Sequence, residues 1–67
     1  MIEVGKRVKF LGFRGDGIKG NVGVEGTVRK NDGGYPYSVD WDSPVNPEIT
    51  MAKDYPMFSD EIEEIKS

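Results

Sequence analysis

EGTVRKNDGGYPYSVDWDSP, residues 25–44, decides the fold of this chain. Two runs rich in β-branched and aromatic residues flank a short turn. Leading into the stretch, Val22, Val24, Gly26 and Val28 alternate with Gly23, Glu25, Thr27 and Arg29. That period of two is the mark of a strand with one face buried. After the turn, Tyr35, Tyr37, Val39 and Trp41 alternate with Ser38, Asp40 and Asp42 in the same way. Between them, Asn31 to Gly34 are residues tolerant of positive φ and predict a hairpin turn. Gly26, inside the first strand, predicts a bend or bulge. The alternation sets Trp41 beside Val39 in the core or at its rim, and turns Asp40 and Asp42 to water.

Upstream, Val8 and Phe10 alternate with Arg7, Lys9 and Leu11, which predicts another half-buried strand. GFRGDGIKGNVG, residues 12–23, holds five glycines in twelve positions and reads as a long loop. Downstream, Pro44, Pro47 and Pro56 forbid a long helix. A short fourth strand is expected around Ile49 and Met51. A one-turn helix at Ser59–Glu61 and a last short strand, Ile62–Ile65, complete the pattern. Five short strands with glycine-rich turns define an all-β domain, a small five-stranded barrel. Closure would also cover the sheet edges. Residues 1–67 make a single domain with its core over about 4–65, because a second core would need roughly 50 more residues.

Composition narrows the chemistry. The chain has no cysteine and no histidine, so disulfides, thiolate metal sites and imidazole catalysis are all out of reach. No catalytic residue, metal or cofactor is expected. No apolar run nears the 18 or more residues of a membrane span, and MIEVGKRVKF lacks a signal-peptide core, so the expected location is cytoplasmic, away from membranes. The net charge of −3 is split along the chain. Residues 1–30 carry seven basic and three acidic side chains, whereas residues 31–67 carry two basic and nine acidic ones. Such a split arises either from a basic binding face or from complementary strands lying side by side.

In order, VGKRVKFL, EGTVRK, YPYSVDWD and FSDEIEEI resemble the strands of small SH3-like barrels. The pattern is similar to the E-subunit barrel of photosystem I, where a G-T-V strand turns into a Tyr-Pro-valine-rich strand ending in an aromatic and an aspartate. It also resembles small barrels of bacteria and their phages, in which GDxV, GTV and V-x-W-D recur in that order. The resemblance implies a five-stranded SH3-like barrel with a one-turn helix before the last strand. It further implies a phage or mobile-element accessory protein. The motifs are structural, and the loops that carry function in such barrels, 12–23 and 43–58, match neither group.

Two surfaces are candidates. Tyr55, Met57 and Phe58, with Pro56 between them, crowd apolar groups into one loop, and Tyr35 beside the hairpin extends the patch. These four residues make the expected protein-binding site of a small non-enzymatic interaction module. Lys6, Lys9, Arg14, Lys19, Arg29 and Lys30 form the alternative, an RNA- or DNA-binding (KOW-like) barrel acting through basic loops. A sequence pI of about 4.8 and an acidic second half oppose phosphate binding. Gly15, Gly17 and Gly20 match G-x-G-x-x-G in letters, but a dinucleotide site needs a helix to open there, and a valine-rich strand follows instead.

Overall fold

The computed structural model describes residues 2–14, 20–31 and 37–66. The strands are β1 (Arg7–Phe10), β2 (Glu25–Lys30), β3 (Tyr37–Trp41), β4 (Tyr55–Met57) and β5 (Ile62–Glu64). A one-turn 3-10 helix, Ser59–Glu61, leads into β5 as the sequence predicts. All pairings are antiparallel, in the order β4-β3-β2-β1-β5, and the sheet curls into a half-barrel. The hairpin turn expected at Asn31–Gly34 falls, past Asn31, outside the described residues, as do Tyr35 and the middle of the glycine-rich loop with Lys19.

Along β1, β2 and most of β3 the alternation read from the sequence is the burial pattern of the sheet, but Val22, read as inward, lies before β2 and is exposed, and Ser38, read as outward, is buried. Val8, Phe10, Val28, Tyr37, Val39 and Trp41 point inward and are closed over by Val45, Met57 and Ile62. Phe10 meets Trp41 edge-on at 5.7 Å between ring centroids and Phe13 at 4.8 Å, the offset geometry that aromatic quadrupoles favour.

Two local expectations are corrected. The irregularity of β2 lies between Val28 and Lys30, where the register against β3 slips, and not at Gly26. Gly26 pairs regularly with Trp41 and serves close approach: a Cβ there would stand 2.7 Å from both the Asp40 carbonyl oxygen and Trp41 Cε3. The fourth strand is Tyr55–Met57, and the Ile49–Met51 stretch is irregular. Asn46 prevents a strand there, because its Oδ1 accepts the Glu48 N–H at 2.9 Å and its carbonyl accepts the Ile49 N–H at 3.2 Å. Pro56 is tolerated in β4 because that strand is an edge of the sheet.

The segment before β1 is stitched to the same sheet. The Ile2 N–H donates to Tyr37 Oη at 2.9 Å, Asn31 Nδ2 donates to the Ile2 carbonyl at 3.1 Å, and the Gly5 N–H reaches the Val28 carbonyl at 2.8 Å. Among the described residues no helix is long and apolar enough to cross a membrane.

Candidate functional site

The outer face of the sheet is a lattice of opposite charges. Arg7 gives one guanidinium N–H to Thr27 at 2.9 Å, pairs with Asp42 at 2.5 Å and lies 3.7 Å from Glu25. Lys9 stands 3.8 Å from Glu63 on β5, and Arg29 stands 3.5 Å from Asp40 on β3. Basic side chains of the first half thus meet acids carried mostly by the second half, which accounts for the charge split. Arg7's hydrogen bond holds the Asp42 carboxyl below its ordinary range, and the same contact pushes the Arg7 guanidinium up.

Asp40 does more than face water. Its side chain is 28% exposed, and its Oδ1 accepts the Asp54 N–H at 2.8 Å. Asp54 holds a φ of +53°, in the left-handed region where a short polar side chain is tolerated, at the turn into β4. Its own carboxylate accepts the Ser38 hydroxyl. That bond, with the charges of Lys30 and Arg29, holds Asp54 below the usual carboxylate range.

Away from this face, the glycine-rich loop leaves β1 and lays an aromatic and a cation against the chain around β4. The Phe13 ring lies 6.2 Å from Tyr55, tilted by 39°, and both pack against the core. Arg14 places its guanidinium 3.7 Å from the Phe58 ring centroid. Its Nη2 is 2.7 Å from Asp60 Oδ2 and its Nε donates to Asp60 Oδ1 at 3.1 Å, a fork closed on a carboxylate. Underneath, the buried Glu61 accepts the Arg14 N–H at 2.9 Å and the Phe58 N–H at 2.7 Å, so one carboxylate ties the loop to the 3-10 turn.

The candidate protein-binding residues therefore separate. Tyr55 and Phe58 are half-buried and reach the surface, whereas Met57, on the same face of β4 as Tyr55 and paired with the inward Tyr37, is 1% exposed and belongs to the core. Tyr35 lies outside the described residues. Of the basic set, Lys9, Arg14 and Arg29 are engaged by acids, and Lys19 lies outside the described residues. Lys6 and Lys30 are exposed and make no ion pair among the described residues. Two members of the aromatic surface escape a sequence reading. Phe13 is one, although a lone bulky ring among glycines must find a surface to cover. Glu61 is the other, since nothing in SDEIEE marks which acid turns inward. Comparison with protein-family models, with curated proteins and with solved structures finds no match in any of the three.

Proposed function

We propose that this chain is a small non-enzymatic interaction module of the SH3-like type, docking on a protein partner through the surface built by Phe13, Tyr55 and Phe58, over which Arg14 lies in the free protein. The observation that carries the reading is this gathering of three half-buried aromatics from two distant parts of the chain. Aromatic side chains are prominent among the residues that dominate the energetics of protein contacts. The SH3-like assignment draws support from the strand order, with β1 between β2 and β5, and from the 3-10 turn just before the last strand. The phage or mobile-element setting rests on the resemblance in the VGKRVKFL, EGTVRK and VDWD strands. An RNA- or DNA-binding barrel is the competing reading, favoured by Lys6 and Lys30, which make no ion pair among the described residues. It is weakened by the acids that already occupy Lys9, Arg14 and Arg29.

Affinity capture from a host lysate, with and without nuclease, using the natural chain and its Phe58→Ala and Tyr55→Ala variants, tests the reading. The expected result is a protein retained through nuclease treatment and lost from folded variants, each weakening the complex by about 2 kcal/mol. A random oligonucleotide should bind more weakly than about 100 μM at physiological salt. Micromolar oligonucleotide binding with a steep salt dependence would reverse the order of the two readings.

A further inference from the structure

Arg14 is held in an unusual way for an exposed cation on a glycine-rich loop. One face of its guanidinium covers the Phe58 ring at 3.7 Å, and its edge is closed by both oxygens of Asp60. Aromatic face and carboxylate fork together match the planar, five-donor shape of a guanidinium and suit a lysine ammonium poorly. The parts of this cradle come from the β4–β5 connection, whereas its occupant comes from a segment 44 positions earlier (58 − 14). The Arg14 side chain is not the loop's only fastening: the Arg14 main-chain N–H is held by Glu61, and Phe13 packs on Tyr55 and Phe10. Removing the guanidinium leaves these contacts, and Phe58 and Asp60 on their own connection, in place.

We propose that Phe58 and Asp60 form a guanidinium-binding site, filled by Arg14 in the free protein and taken over by an arginine of the partner on docking. The proposal rests on the protein-binding reading of this surface and names the partner's chemistry: an arginine side chain on an exposed segment. Arg14 then acts as a resident competitor. Because half of its side chain is open to solvent, its displacement is cheap.

The probe is N-acetyl-arginine amide, titrated at constant ionic strength into the natural chain and its Arg14→Ala variant, with N-acetyl-lysine amide as the comparison. Backbone and ring NMR shifts of Phe58 and Asp60 report the site, and a melting curve reports the fold. In Arg14→Ala the arginine probe should give saturable shifts at Phe58 and Asp60, about three- to tenfold tighter than in the natural chain. The lysine probe should bind more weakly, and adding Asp60→Asn should abolish the arginine response. Arg14→Lys, which keeps a charge but loses the fork, should fall between. Equal binding of both probes, equal binding to both proteins, or no saturable shift in a folded Arg14→Ala variant would overturn the proposal. Loss of partner capture in Tyr55→Ala combined with a null arginine titration would leave the protein-binding surface standing and remove only its arginine specificity.

Discussion

Trp41 and Gly26 face each other across β2 and β3, and neither has room to change. The indole is 1% exposed and sits where a Cβ on Gly26 would collide with it at 2.7 Å. Trp41→Ala is expected to cost about 3–5 kcal/mol, comparable to the whole stability of so small a core, and to leave the chain largely unfolded by circular dichroism. Gly26→Ala is expected to lower stability by about 1–3 kcal/mol in urea titration, because the obstacles on one side are backbone atoms that cannot move aside. The carboxylates give a second residue-scale expectation. Asp42 and Asp54 have folded pKa values below the ordinary 3.8, so their contributions are fully present above that pH and fade as pH falls through 3.8 toward the folded values. Thermal melts should therefore show a shallow acid limb below about pH 4 that flattens further in Asp42→Asn and Asp54→Asn, since both carboxylates are exposed. An unchanged limb in both variants would contradict this. At this scale the sequence is readable where period-two alternation applies: Trp41, Val39 and Phe10 are inward as their parity demands. It misleads on Asp40, which parity turns to water but which is only 28% exposed, since its hold on the Asp54 N–H depends on a turn that parity does not encode.

The elements differ in how plainly they are written. β1, β3, the 3-10 turn and β5 follow the pattern within a residue or two. β4 does not, because Ile49 and Met51 offer better strand-forming chemistry than Tyr55-Pro56-Met57. The competition is decided by Asn46, whose side chain and carbonyl fix a turn across 46–49, and by an edge position that forgives a proline. The 3-10 turn was legible, yet its fastening was not. Glu61 binds two main-chain N–H groups from segments far apart in the chain, and charge-assisted bonds of this kind are strong. Glu61→Ala should therefore destabilise the domain by about 2–3 kcal/mol and speed hydrogen exchange at the Arg14 and Phe58 amides. Glu61→Gln, which keeps an acceptor, should lose less. Unchanged exchange at both amides in the alanine variant would mean that the loop is held by Phe13 alone.

Across the whole molecule the two charge halves interleave, and their attraction is spent on strand neighbours. Arg7, Lys9, Arg14 and Arg29 each find an acid, but every one of these pairs is open to solvent. Raising sodium chloride from low to about 0.5 M should accordingly shift the melting temperature by no more than about 5 °C, since exposed pairs are weak and easily screened. A collapse of the fold in salt would instead assign the lattice a major structural role. The split was visible in the sequence, but its meaning depended on which strands are neighbours, and that is a property of topology alone.

That topology also sets an order of events. β1 lies inside the sheet, yet one of its two partners is the last strand, and Val8 is matched with Glu64. A chain emerging from the ribosome holds β1 with one row of amides and carbonyls unclaimed until residues 62–64 have appeared. Phe10 lacks its neighbour Ile62 for the same interval. Contacts this distant along the chain slow folding. The domain should therefore stay incomplete, and prone to intermolecular strand pairing, until residues 62–64 are free of the ribosome, and then fold in one step.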